Sequence, residues 1–136
     1  MIVLDTNIVL DVFVFSDPAT ALLKHALSAR KPQWIVTTPM REELARVLAY
    51  PKIAARLAFY QLTSAQVLAQ LDALAQWVDV APKAVVTCRD PDDQKFIDLA
   101  VAHQAVLLSK ERDVLCMKKR LLALDVRAQP AINFVA

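Results

Sequence analysis

The sequence predicts an α/β fold in which helices flank a central, mainly parallel β-sheet. Short apolar runs alternate with longer amphipathic segments, a pattern typical of strands joined by helices. Two predicted strands, IVLD (2–5) and AVLLS (105–109), end on polar residues, as strands do where a site forms beyond their carboxyl ends. The 136 residues show no repeat or linker, so we expect a single domain spanning residues 1–136.

Capping residues and prolines mark the helices of the first half. Asp17 and Pro18 suit the N-cap and first helical position of one helix, and Thr63 with Gln66 forms the capping box of another. Pro51 ends the helix before it. After the strand at 2–5, the predicted order is a short helix from about Asn7, a helix over 17–30, a strand over 32–39, helices over 40–50, 51–60 and 63–78, and a strand at 77–80.

The second half repeats the alternation of helix and strand. A turn at RDPDD (89–93) leads into a helix, and the apolar run that follows is short enough for a buried strand. The predicted order is a helix over 93–104, a strand over 105–109, a helix over 111–124, a short strand over 125–129 and a helical turn over 130–135.

Composition excludes several kinds of site. The chain contains no glycine, so it lacks the loops with which nucleotide-binding folds approach phosphates. Its two cysteines, Cys88 and Cys116, are far apart and form no CxxC pair, so we expect neither a disulfide framework nor a zinc site. The net charge of +2 lacks the strong basic bias of a dedicated nucleic-acid-binding protein, so any nucleic-acid contact must depend on where the cations lie.

Helical geometry separates two neighbouring glutamates. At about 100° per residue, Met40, Leu44 and Leu48 form one apolar stripe of their helix. Glu42 points almost opposite this stripe, toward solvent, whereas Glu43 lies on its flank. Glu43 is therefore the candidate functional residue.

The same geometry singles out Asp93. In the helix that follows RDPDD, Phe96, Ile97 and Ala100 share an apolar face, and Asp93 lies on that face in the first turn. Capping by Asp92 or Asp93 is the ordinary explanation for acids at this point. Asp98 points away from the apolar face.

Acidic residues thus gather at the predicted site. Asp5 is surrounded by apolar neighbours, where a charge must be paired, metal-bound or neutralised. Asp5, Glu43, Asp93 and Glu111 all lie at strand ends or on helices next to them. Because a cluster of like charges recruits cations and the oxygens are hard ligands, we expect Mg²⁺ or Mn²⁺ and phosphoryl chemistry.

At this point the chain resembles the PIN-domain ribonucleases, and within them the bacterial, toxin-like (VapC-like) branch. The resemblance covers nearly the whole chain, and the order and spacing of four motifs carry it: VLDTNIVL, EELARVLAYPKI, RDPDDQKFIDLA and VLLSKERDVL. It implies a PIN-like three-layer sandwich and a metal-dependent endoribonuclease. Asp5, Glu43, Asp93 and Glu111 fall on or near the family's acidic positions, with Asp5, Asp93 and Glu111 as metal ligands and Asn7 and Ser109 as supporting residues.

The fourth motif departs from the family pattern. The family usually has Thr-Gly-Asp, then one residue and a second Asp, where this chain has Ser109, Lys110, Glu111, Arg112 and Asp113. Glu111 brings one extra methylene, and Lys110 adds a cation next to the site. The second metal position is therefore expected to be weaker, shifted or served by Asp113.

The resemblance also suggests partners. We expect Arg41, Arg89, Lys110 and Arg112 to contact RNA phosphates, although pairing of Arg41 and Arg112 with nearby acids is an equal alternative. The sequence predicts an apolar helical hairpin over 40–60, and in related toxins such a hairpin helps to form dimers and the groove that an antitoxin helix fills, so we expect a homodimer and a cognate antitoxin protein. We expect Trp34 and Trp77 to pack in the core.

Two alternatives stay open. One is a PIN-like module that binds RNA or a partner with weak or no catalysis. The other is a haloacid-dehalogenase-like phosphatase, which the residue Asn7 disfavours because that chemistry needs an aspartate two positions after the first. No apolar run reaches the roughly 18 residues of a membrane span, and MIVLDTN has no basic region typical of a signal peptide, so we expect a cytoplasmic protein without a membrane partner.

Overall fold

A parallel five-stranded sheet forms the centre of the computed structural model, which describes residues 1–135. β1 pairs with β4 and β4 with β5, while β2 pairs with β3. A parallel bridge between Ile2 and Trp34 joins the two groups, which gives the order β3-β2-β1-β4-β5. The strands are β1 (Ile2–Leu4), β2 (Ile35–Val36), β3 (Gln76–Trp77), β4 (Val106–Leu108) and β5 (Ala128–Gln129).

Eight α-helices connect these strands in the described chain. Three short 3₁₀ turns, over Pro18–Thr20, Pro91–Asp93 and Ala131–Asn133, precede or follow them. The predicted capping box of Thr63 and Gln66 is present, and Asp17 caps the turn that begins at Pro18. The helices are α1 (Thr6–Phe13), α2 (Ala21–Ser28), α3 (Thr38–Leu48), α4 (Pro51–Phe59), α5 (Ser64–Leu74), α6 (Gln94–His103), α7 (Arg112–Leu115) and α8 (Lys118–Leu122).

Alternation along the strands divides the core between the two faces of the sheet. Leu4 and Leu108 belong to the cluster packed against α1–α5, whereas Val3 and Leu107 belong to the cluster packed against α6–α8. Successive side chains of a strand point to opposite faces, so every central strand needs apolar residues throughout. The result is helices on both sides of one parallel sheet, which confirms the predicted α/β three-layer architecture.

The predicted helix over 111–124 is wrong in one respect. It consists of two helices, α7 and α8, interrupted at Cys116 and Met117. The Met117 N–H donates to the carbonyl of Val114 at 3.0 Å, a tighter turn than an α-helix makes. This turn lets Val114, Met117 and Leu121 all reach the core, where each is at most 1% exposed.

The prediction for Trp77 is also wrong. Its side chain is 43% exposed, whereas Trp34 is 1% exposed as predicted. Trp77 lies on β3, which is a two-residue strand at the edge of the sheet and not the predicted strand at 77–80. An edge strand has a neighbour on one side only, so its side chains bury less surface.

Because the chain contains no glycine, other residues adopt the left-handed backbone conformations that glycine usually provides. Five residues adopt a positive φ of 47–61°, a region that glycine usually occupies. They end helices or turns, where the chain must reverse: Ser16, Arg30, Gln61, Gln104 and Asp125. Within residues 1–135 no single helix is long and apolar enough to cross a membrane.

Candidate active site

Asp5 follows β1 directly and is 1% exposed. One carboxylate oxygen accepts a hydrogen bond from the Ile8 N–H at 3.0 Å, so Asp5 is the N-cap of α1. The hydroxyl of Ser109 donates to the other oxygen. Burial raises the pKa of Asp5 to about 6, although both hydrogen bonds act in the opposite direction.

Glu111 lies three residues after the end of β4, the neighbour of β1 in the sheet, and lines the same cavity as Asp5. Ser109 follows β4 and is fully buried, and its hydroxyl also accepts a hydrogen bond from the Glu111 N–H at 3.0 Å. The side-chain amide of Asn7 donates to the Glu111 carboxylate. Because β1 and β4 are parallel, the residues that follow them meet at one edge of the sheet.

Glu43 comes from α3 and occupies the flank that helical geometry predicted. Its side chain is 17% exposed, whereas neighbouring Glu42 is exposed to solvent. The hydroxyl of Thr6 donates to one oxygen of Glu43, and the Lys95 ammonium lies 2.6 Å from the other. Glu43 is therefore held from both sides.

Asp93 stands before the first residue of α6 but makes no capping hydrogen bond. Asp90 instead caps the preceding turn, by accepting from the Asp92 N–H at 2.9 Å. The Asp93 carboxylate is thus left available for another role. Its pKa is raised to about 7, first by burial and then by the negative charges of Asp90 and other acids of the site.

These carboxylates share one cavity of about 190 Å³ beyond the carboxyl ends of β1 and β4. Five acidic side chains line it, together with two polar and two apolar ones. Mutual repulsion contributes to the raised pKa values of both Asp5 and Asp93. The lining residues are Asp5, Thr6, Asn7, Glu43, Val47, Asp90, Asp93, Phe96 and Glu111.

The donor set suits a hard divalent cation. All the acidic ligands are oxygens, which Mg²⁺ and Mn²⁺ prefer, and a cation would relieve the repulsion among them. In the arrangement described for residues 1–135, no three His, Cys, Asp or Glu side chains converge closely enough to hold an ion together. Among the acids of the cavity, Asp5, Asp93 and Glu111 are the residues that would hold a cation.

The predicted RNA-binding cations differ in their surroundings. Arg41 pairs with Asp72 at 2.8 Å, and Lys110 pairs with Asp11 at 2.8 Å, so both are engaged within the protein. Arg89 and Arg112 are exposed, and neither makes a side-chain hydrogen bond or ion pair with any other residue of the stretch 1–135. RNA contact by all four stays a prediction.

Asp113, the last predicted supporting residue, does not line the cavity. Its main-chain carbonyl accepts a hydrogen bond from the Cys88 thiol at 3.3 Å. A role for Asp113 at a second metal position stays a prediction.

Three residues of the site were missed at the level of sequence. Local pattern predicts only a turn at Asp90 and only a helix start at Thr6, although both line the cavity with the predicted site residues. Lys95 carried no signal, because a lysine in the first turn of a helix is commonplace. Its ammonium lies near Glu43 only because α3 and α6 approach each other at this edge of the sheet.

Comparison with known proteins agrees with this geometry. The family model described as PIN domain matches residues 1–111, which contain β1, α3, α6, β4 and all five acids of the cavity. No curated protein matches the chain. Members of the matched family are generally nucleases that depend on a divalent metal. Because the family model matches most of the sequence, the chain belongs to the PIN domain family.

Proposed function

We propose that this protein is a metal-dependent endoribonuclease that hydrolyses phosphodiester bonds of RNA. One observation carries the proposal: Asp5, Asp93 and Glu111 reach a single cavity from three separate segments of the chain. Buried and half-buried carboxylates that repel one another are costly to stability, so their convergence supports the proposal of a cation site.

The residues divide into ligands and supports. Asp5, Asp93 and Glu111 are proposed to hold Mg²⁺ or Mn²⁺, with Asp5 central because it is the most rigidly held. Asn7 and Ser109 orient Glu111 and Asp5. When bound, a divalent cation supplies Lewis-acid stabilisation of the phosphate and lowers the pKa of a bound water.

Glu43 is proposed to orient the attacking water. Its two partners, Thr6 and Lys95, hold the carboxylate at the rim of the cavity, where one oxygen can accept a hydrogen bond from water. The expected products carry a 5′-phosphate, which is what the resemblance to PIN-domain ribonucleases implies.

Two exposed arginines are the proposed phosphate contacts. Arg89 precedes the turn that carries Asp90 and Asp93, and Arg112 follows Glu111 at the start of α7. Their guanidinium groups can donate two hydrogen bonds to one phosphate. Arg41 and Lys110 are less suitable because each already pairs with an aspartate.

We also propose that the protein is the cytoplasmic toxin of a toxin–antitoxin pair and a homodimer. The support is an apolar surface on α4, around a groove of about 700 Å³ that Phe15, Ile53 and Phe59 line. Phe59 is 75% exposed, which is unfavourable unless a partner covers it. A small gene directly adjacent to this one would favour the toxin role.

The deciding experiment is cleavage of structured RNA by purified protein with Mg²⁺ or Mn²⁺. Asp5→Asn and Asp93→Asn should each reduce cleavage by roughly 100-fold or more, because each removes a proposed metal ligand, and EDTA should abolish cleavage. Asp79→Asn is the matched control, because Asp79 is an exposed aspartate outside the cavity. Metal-independent cleavage, or full activity of Asp5→Asn, would refute the proposal.

A second candidate is a module that binds RNA or a partner without cleaving it. It is favoured by the side chains already engaged with the acids: Asn7 with Glu111, and Thr6 and Lys95 with Glu43. Filter binding on the same samples separates the two functions. Binding of RNA with no cleavage in either metal would support this candidate.

A further inference from the structure

Helix α1 contacts the segment after β4 at more than one point. Asn7 and Asp11 lie four residues apart, so they share one face of the helix. Asn7 donates to Glu111, and Asp11 accepts from Lys110, the residue immediately before it. One helix face therefore holds two consecutive residues of this segment.

The contact between Asp11 and Lys110 is a close, two-point ion pair. The Lys110 ammonium lies 3.0 Å from one carboxylate oxygen of Asp11 and 2.8 Å from the other. Asp11 is 6% exposed, whereas the Lys110 side chain is half exposed. A carboxylate buried to this degree needs a partner, and within residues 1–135 the Asp11 carboxylate forms its ion pair with Lys110.

The pair lies where it can control Glu111. The segment between β4 and α7 has only three residues, Ser109, Lys110 and Glu111. Ser109 is anchored to Asp5 and Lys110 to Asp11, so the backbone on the amino side of Glu111 is held at two successive residues. A glutamate has one more rotatable bond than an aspartate and loses more side-chain freedom when it is ordered.

We infer that the ion pair between Asp11 and Lys110 positions Glu111 in the acidic cavity. Lys110 acts within the protein and not on RNA phosphate. Lys110 and Asp11 are thus positioning residues, and they act on the cation site through the backbone of Glu111. This inference rests on the proposed function of the cavity, but the contact itself is measurable without activity.

The first test observes Asn7 by NMR in the metal-free protein. In the Lys110→Met variant, the Glu111 carboxylate should move away from the Asn7 side-chain amide. The chemical shift of that amide should therefore approach the value it has in the Glu111→Ala variant, which lacks the carboxylate. Lys110→Arg keeps the charge and should restore the wild-type signal. Lys118→Met is the control, since Lys118 is an exposed lysine on α8 away from the cavity.

The second test measures Mn²⁺ affinity by calorimetry and RNA cleavage by kinetics. Residues that orient metal ligands typically contribute about 10-fold or more to affinity, so Lys110→Met should weaken Mn²⁺ binding by about that factor. The kcat should fall while KM and the salt dependence of KM stay unchanged. The double variant Asp11→Asn with Lys110→Met should behave alike, and it leaves no unpaired buried carboxylate.

Two results would overturn the inference. If Lys110→Met lowers the melting temperature but leaves the Asn7 signal and the Mn²⁺ affinity unchanged, the pair is only structural. If KM rises and its salt dependence weakens, Lys110 contacts phosphate. Failure of the wild type to bind Mn²⁺ or cleave RNA would refute the proposed function, and the Asn7 signal would still decide whether the pair positions Glu111.

Discussion

Asp5 is held by three features of the fold at once. It follows a central strand, caps the next helix through the Ile8 N–H, and accepts from a hydroxyl that follows the neighbouring strand. Each hydrogen bond favours the charged form, yet burial still raises its pKa. The carboxylate is thus fixed in position and remains poorly neutralised, which is the condition of a good cation ligand.

Asp93 should make the metal-free protein less stable as pH rises. Its pKa is about 7 in the folded state and 3.8 ordinarily, so between about pH 4 and pH 7 the folded state binds more protons than the unfolded state. Stability therefore falls through this range as Asp93 ionises beside other acids. In Asp93→Asn, the melting temperature should fall less between pH 5 and pH 8 than in the wild type.

Calorimetry in EDTA measures this difference. Asp79→Asn serves again as the control, because its exposed side chain lies outside the cavity, and it should follow the wild-type pH profile. Equal slopes for Asp93→Asn and the wild type would contradict the raised pKa. Addition of Mn²⁺ at pH 8 should raise the wild-type melting temperature, since binding to the folded state stabilises it.

At the scale of single elements, helix ends determine much of the fold. Gln61 lies two residues after the last residue of α4, is exposed, and has a positive φ of 57°. In the left-handed backbone region, a residue with a Cβ is destabilised by roughly 1–2 kcal/mol, and glycine avoids this cost. Part of that gain is offset because glycine is more flexible in the unfolded chain and loses more conformational entropy on folding. Gln61→Gly should therefore raise the free energy of unfolding by about 0.5–1 kcal/mol.

Urea denaturation tests this prediction, with a second glycine as its comparison. Ala54 lies in the middle of α4, is exposed and has helical backbone geometry. Ala54→Gly should lower the free energy of unfolding by about 1 kcal/mol. If both glycines destabilise equally, the backbone at Gln61 carries no strain.

The capping box of α5 provides a further prediction. The Thr63 hydroxyl accepts from the Gln66 N–H at 3.1 Å, and the Gln66 side chain accepts from the Thr63 N–H at 2.9 Å. Thr63→Ala removes one of these bonds and should lower the free energy of unfolding by about 1 kcal/mol. Thr63→Ser keeps the hydroxyl, so its free energy of unfolding in the same urea titration should be close to that of the wild type.

At the scale of the whole molecule, the α4 surface should determine the oligomeric state. Phe59 is 75% exposed beside the apolar groove, and Tyr60 packs edge-on against it. We expect a dimer in light scattering at high concentration and a monomer for Phe59→Glu. Leu22→Glu changes an apolar residue on α2 that is 69% exposed, and this variant should remain dimeric. A strictly monomeric wild type would contradict the proposal.

Local pattern was enough to identify most elements of this chain. The strands β1, β2, β4 and β5, the capping box and the helix after Asp5 follow from local periodicity and capping, which short stretches of sequence encode, whereas β3 does not lie at the predicted 77–80. The break between α7 and α8 was missed because residues 111–124 are helix-compatible throughout. Only the need to bury Met117 against the sheet decides that the chain turns there.

In the acidic site too, some features follow from local sequence and others from contacts between distant parts of the chain. Helical periodicity alone separates Glu43 from Glu42 and identifies Asp93, because side-chain direction along one helix is a local property. The partners of those acids are not local. Glu43 meets Lys95, Arg41 meets Asp72 and Lys110 meets Asp11, across 31 to 99 residues of chain.

Periodicity and residue order are sufficient to predict the fold class, the family resemblance and the four candidate acids Asp5, Glu43, Asp93 and Glu111. Folding adds which cations face those acids, that Asp90 lines the same cavity and that Lys110 pairs with Asp11. These contacts depend on how helices from distant parts of the chain meet at one sheet edge. Periodicity within a single helix cannot specify that meeting.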